Sequence, residues 1–103
     1  MGISKTEHFT EEQNDVAKLM KALSHPARIA IVEYLLSVDT CICNDIVDEI
    51  KLAQPTVSQH LKELKNAGII QGEIDGKAIC YCINPNTLKK MEHFISEIFR
   101  KIE

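Results

Sequence analysis

The chain has 103 residues with a formal net charge of −3, and 45 % of its residues are apolar while only 5 % are aromatic. That is one domain's worth of chain, whose core must be built from Leu, Ile, Val and Ala. No run approaches the roughly 18 apolar residues of a membrane span, and Met1–Gln13 has no signal-like apolar stretch. We therefore expect a cytoplasmic protein with reduced thiols, no membrane partner and one helical domain over 9–103 behind a flexible arm at 1–8.

The first helix is expected over 9–23, with Val16, Leu19, Met20 and Leu23 spaced at three and four. Ser24-His25-Pro26 punctuates it, and Pro26 suits the first turn of a second helix running to about Leu36. Thr40–Cys43 reads as a brief strand, and Asp45–Lys51 as a short helix burying Ile46, Val47 and Ile50. Another helix begins near Pro55, turns Val57, Leu61 and Leu64 inward, and ends at Gly68, where a left-handed cap is expected. Ile69–Ile74 and Lys77–Ile83 read as a hairpin around Asp75-Gly76. A last helix follows Asn84-Pro85-Asn86, with Leu88, Met91, Phe94, Ile95, Ile98, Phe99 and Ile102 on its apolar side. The order α-α-β-α-α-β-β-α is mainly helical with a small hairpin wing.

The pair 45–51 and 55–67, joined by about three residues, has the size of a helix-turn-helix, and the hairpin after it makes a winged helix. At about 100° per residue the face opposite Val57, Leu61 and Leu64 carries Gln59, Lys62 and Asn66, flanked by Thr56 and Ser58. Gln can pair with adenine, Lys can reach guanine or phosphate, and hydroxyls serve either. The first turn, with Gln54 and Thr56, offers backbone N–H groups to a phosphate. Lys51, Lys62 and Lys65 make this stretch locally cationic on an acidic molecule. A plain solvated helix would have the same face, so the succession of elements carries the argument toward DNA. His60 falls nearer the apolar stripe and reads as a structural histidine.

Leu23-Ser24-His25-Pro26-Ala27-Arg28-Ile29-Ala30-Ile31 resembles the opening signature of ArsR-family repressors. Gln54-Pro55-Thr56-Val57-Ser58-Gln59-His60-Leu61-Lys62-Glu63-Leu64, followed by Ala67-Gly68-Ile69-Ile70, resembles that family's recognition helix and its exit. The resemblance runs from about residue 16 to 100. It implies a homodimer held by the first and last helices, sitting on a palindromic duplex operator and repressing until an effector binds. It implies no catalytic residues. Ala53 stands where a Ser usually caps the recognition helix. The wing Gly72–Lys77 is acidic where relatives are often basic, so Lys77 is its one useful DNA contact.

Cys41-Ile42-Cys43 resembles the thiolate segment of some relatives, although a third thiolate one turn on is replaced by Ile46 or Val47. Other relatives bind zinc between paired last helices. Here only His93 and Glu97 are available for that, and the site is incomplete. The second pair, Cys80-Tyr81-Cys82, changes the picture. If Thr40–Cys43 lies beside Ile79–Ile83, strand alternation puts Cys41, Cys43, Cys80 and Cys82 on one patch. Four thiolates suit Zn²⁺ or Cu(I), and three suit As(III) as arsenite. Closely opposed thiols can instead form disulfides as a redox switch, or serve as small apolar residues in a sheet. The rival readings are thus a redox-responsive or constitutive regulator, a winged helix that binds protein, and, more distantly, a thiol oxidoreductase. The last lacks the Cys-x-x-Cys at a helix start that such chemistry uses.

Overall fold

The computed structural model describes residues 8–38, 45–75 and 78–103. In chain order these form α1 (Glu11–Leu23), α2 (Pro26–Leu36), α3 (Asp45–Ile50), α4 (Gln54–Asn66), β1 (Ile70–Asp75), β2 (Ala78–Ile83) and α5 (Pro85–Ile102). The expected strand Thr40–Cys43, the arm residues 1–7 and the turn residues Gly76 and Lys77 lie outside the described residues.

Local chemistry explains where three of the helices start. Thr10 caps α1 reciprocally: its Oγ1 accepts from the Gln13 amide at 3.0 Å, and its own amide donates to Gln13 Oε1 at 2.9 Å. This double closure satisfies donors that a helix start leaves without intrahelical acceptors, and it moves the start two residues beyond the position expected from periodicity. His25 caps α2, its Nδ1 accepting from the Ala27 amide at 3.0 Å, with Pro26 in the first turn. Asn84 does the same for α5 through Oδ1 and the Asn86 amide at 3.2 Å.

The exit from α4 is a Schellman closure. Gly68 adopts φ +81°, its amide donates to Lys65 C=O at 2.9 Å, and the Ile69 amide donates to Leu64 C=O at 3.0 Å. The turn sends the chain directly into β1. Ile69 C=O then accepts from the Asn84 amide at 2.9 Å, which ties the end of β2 to the root of the hairpin. The two strands pair antiparallel, with Ile70 opposite Ile83, Gln71 opposite Cys82, and Glu73 opposite Cys80.

One core joins these elements. Leu19 and Ala22 of α1, Ile31 and Leu35 of α2, Ile46 of α3, and Val57, Leu61 and Leu64 of α4 pack together with Ile69 and Ile70. Leu88 and Met91 of α5 pack against this cluster, whereas no residue of α5 is fully buried. Farther along that helix Ile95, Ile98, Phe99 and Ile102 stand exposed, Phe99 at 59 % and Ile102 at 71 %. They recur at three and four residues, so they form one stripe of a helix that leaves its own core behind.

Candidate nucleic-acid interface and cysteine site

α3 and α4 are separated by Lys51, Leu52 and Ala53. The turn is sharp because Lys51 takes φ +62°, in the left-handed region, which costs a residue with a Cβ roughly 1–2 kcal/mol. Val57 and Leu64 are fully enclosed and Leu61 nearly so, which rolls the opposite face of α4 outward. On that outer surface Gln54, Thr56, Ser58, Gln59, Lys62, Lys65 and Asn66 are all exposed.

Several of these side chains already have partners along the helix. Gln59 Nε2 donates to Glu63 Oε2 at 2.9 Å, and Gln54 Nε2 donates to Ser58 Oγ at 3.4 Å. Both contacts lie in solvent and can be exchanged for a base edge or phosphate. The Thr56 amide, which the sequence offers to a phosphate, instead donates to Ala53 C=O at 3.0 Å. Ala53 is the N-cap and makes no side-chain cap, as its methyl group requires. Lys77 lies outside the described residues.

His60 is where the sequence reading placed it, on the inner side of α4 and 8 % exposed. Its Nδ1 accepts from Arg28 Nε at 3.1 Å, and its ring lies 4.4 Å from that of His25, tilted by 48°. Burial, and after it the proximity of His25 and Arg28, lowers its pKa from the ordinary 6.5. Arg28 was legible only as part of a family signature. Its hydrogen bond to α4 joins residues 32 positions apart, which no local pattern reveals.

The cysteine reading is half visible. Cys41 and Cys43 lie outside the described residues. Cys80 and Cys82 flank Tyr81 on β2 and share one face of the strand. Cys80 is 6 % exposed, and both sulfurs are disulfide-bonded. A sulfur in a disulfide is not a thiolate, so a metal could bind these positions only after reduction. The incomplete zinc position at His93 and Glu97 does not gather ligands: His93 Nε2 sits 3.9 Å from Glu12 of α1, and Glu97 pairs with Arg100. Among the described residues no group of three or more His, Cys, Asp or Glu is arranged to hold a metal ion. No helix of the described residues is long and apolar enough to cross a membrane.

A short helix, a tight turn, a helix with an exposed polar face and a two-stranded hairpin define a winged-helix DNA-binding regulator. Residues 25–71 match the family model described as bacterial regulatory protein, arsR family. The HTH-type transcriptional repressor SmtB of Mycobacterium tuberculosis is 45 % identical over 64 residues, 62 % of this chain and 47 % of that protein. A cadmium resistance transcriptional regulatory protein CadC homolog of Staphylococcus aureus is 38 % identical over 79 residues, 75 % of this chain and 64 % of that protein. The biofilm growth-associated repressor of Xylella fastidiosa is 31 % identical over 97 residues, 89 % of this chain and 84 % of that protein. The crystal structure of the transcriptional repressor BigR from the same species superposes with a TM-score of 0.65 at 30 % identity, covering 86 % of this chain and 90 % of that one. The matched region spans about half the length of SmtB.

The chain belongs to the ArsR family of helix-turn-helix transcriptional regulators. That family consists of DNA-binding transcriptional regulators and not of enzymes.

Proposed function

We propose that this protein is a homodimeric repressor that reads a palindromic duplex operator with α4 and releases it when its cysteines bind a thiophilic metal or metalloid. The observation that carries the reading is the solvent-facing row Thr56, Ser58, Gln59 and Lys62 on a helix whose opposite side is locked into the core. Gln59 and Lys62 would contact base edges, while Gln54, Thr56, Ser58, Lys65 and Lys77 would serve phosphates or flanking bases.

Dimerisation is supported by the stripe Ile95, Ile98, Phe99 and Ile102 together with Phe9 and Met20, all exposed in the single chain. Apolar area of this extent on one helix calls for a partner, and a two-fold related copy supplies the same face. Half-sites one DNA turn apart would then receive the two α4 helices.

For the inducer, reduced Cys80 and Cys82, with Cys41 and Cys43, would supply soft sulfur donors that suit Zn²⁺, Cu(I) or arsenite. The CadC homolog's name connects a relative with cadmium. Because β2 is the second strand of the hairpin that leaves α4, a ligand clamping its cysteines would shift the wing and α4 together. A coupling of 1–3 kcal/mol changes occupancy about 5–150-fold.

A second reading is favoured by the disulfide bonds of Cys80 and Cys82. Oxidation of paired thiols by a peroxide or a small disulfide would itself change the sheet, and reductant would reverse it. Titrating a duplex complex of the reduced protein with Zn²⁺, Cu(I) and arsenite separates the two. Release by one of these, abolished by Cys80→Ser, supports the thiolate site. Indifference to all three, with release on oxidation, supports the redox device. Absence of salt-sensitive binding to any duplex overturns both in favour of a protein-binding module.

A further inference from the structure

One guanidinium joins three helices. Arg28, half-buried at the start of α2, donates through Nη1 to Ala22 C=O in the last turn of α1 at 3.2 Å. Through Nε it donates to His60 Nδ1 of α4 at 3.1 Å. His25, which caps α2 through its own Nδ1, packs its ring against the other side of the arrangement, 4.4 Å from His60. The end of α1, the beginning of α2 and the middle of the recognition helix are therefore held by two residues five positions or fewer from Leu23.

This geometry dictates a protonation state. An Nε–H donor needs a lone pair on His60 Nδ1, so the imidazole must be neutral with its proton on Nε2. Adding a proton at Nδ1 turns the acceptor into a donor that faces another donor, beside a guanidinium that stays charged.

We propose that Arg28 and His25 are positioning residues that hold α4 in its DNA-reading seat through a neutral His60, so that protonation of His60 unseats the helix and releases the operator. The inference rests on α4 being the DNA-reading helix.

The surroundings oppose a further positive charge. A cavity of about 550 Å³ beside the contact is lined by Lys18 and Lys21 of α1, the α2 cap His25, Arg28 of α2, and Glu63 and Asn66 of α4. Glu63 is the single carboxylate among them and already accepts from Gln59. On α3, Glu49 is exposed to solvent. Burial and the two neighbouring cationic or titratable groups on α2 lower the His60 pKa from 6.5. The neutral form is thus favoured in the seated state, and the change falls below pH 6.5. Seating is complete at pH 7.5 and is lost as the pH drops through the lowered value.

The test uses a duplex selected from a random pool by the full-length protein at pH 7.5. Its affinity is measured at pH 7.5 and 5.5, at fixed ionic strength, for the wild type and His60→Gln. The Gln Oε1 can accept from Arg28 Nε–H but does not titrate in this range. The wild type should lose severalfold more affinity than His60→Gln over this range, because only the wild type takes up a proton at this position. Arg28→Ala should bind more weakly at pH 7.5 and show a flattened profile. Parallel profiles for wild type and His60→Gln overturn the proposal. Should His60→Gln fail to fold, nitrogen NMR of the wild-type imidazole decides. Nδ1 must be unprotonated at pH 7.5, with a protonation midpoint that coincides with the loss of affinity, and a separate midpoint overturns the coupling. Failure to bind any duplex at pH 7.5 has a different signature and sinks the assignment of α4 itself.

Discussion

Two residues with positive φ lie at opposite ends of α4. Gly68 takes φ +81° at its exit at little steric cost, because it lacks a Cβ. Lys51 takes φ +62° in the turn before it, with a Cβ in the way. Lys51→Gly should therefore stabilise the fold by about 1 kcal/mol, the relief of strain less the added freedom of the unfolded chain. Thermal unfolding would register this as a rise of roughly 4–8 °C for a domain of this size. Gly68→Ala should move the midpoint down, since a Cβ would bring that strain into the Schellman turn. Lys51→Ala, which keeps a Cβ, should leave it near the wild-type value.

Ala53 is the other position where residue chemistry sits below its optimum. The first turn of α4 has no side-chain cap, and a hydroxyl there contributes about 1 kcal/mol. Ala53→Ser should raise the urea midpoint without changing the slope of the transition. A changed slope would mean that the substitution alters how much surface is exposed on unfolding. His60 affects stability through pH. Its lowered pKa means that the unfolded chain takes up the proton first, so stability should fall as pH drops below 6.5 and level off once the folded value is passed.

Among the elements, α4 carries two faces with different jobs. Val57, His60, Leu61 and Leu64 are buried, whereas Gln59, Lys62 and Lys65 are exposed within the same three turns. Lys62→Ala should weaken duplex binding almost uniformly across sequences and reduce the salt slope by about 1, if the ammonium serves a phosphate. A loss confined to particular base pairs would place it on a guanine edge instead. The same periodicity made α4 recognisable from its sequence. Its inner stripe and the left-handed cap at Gly68 were both legible, because each is set within one or two turns. Apolar spacing alone starts α1 two residues early, because the reciprocal Thr10–Gln13 closure outweighs it at that end.

For the whole molecule, α5 poses the main physical question. Leu88 and Met91 anchor its first turns on the core, and the second half carries its apolar stripe into solvent. The Lys90–Asp15 ion pair and the His93–Glu12 contact, each at 3.9 Å between exposed side chains, align α5 beside α1 but contribute little stability. A partner copy covering Ile95, Ile98 and Phe99 would bury far more. If the proposed dimer forms through this face, Ile98→Glu should leave a monomer in sedimentation velocity, and operator affinity should fall with it, because two half-sites are no longer engaged together. A variant that remains dimeric would place the interface elsewhere.

The sequence by itself determined the order of the described elements, the inner stripe of α4, the left-handed exit at Gly68 and the family. All of these depend on spacings within a few residues, where backbone geometry and apolar periodicity act directly. Only the tertiary structure decided that Arg28 bonds His60, that the Thr56 amide is already occupied, and that α5 leaves its own core halfway along. The first and last are relations between distant parts of the chain, created when buried faces are matched in three dimensions. The Thr56 contact is local, but it depends on how tightly the first turn of α4 winds, which residue type alone does not dictate.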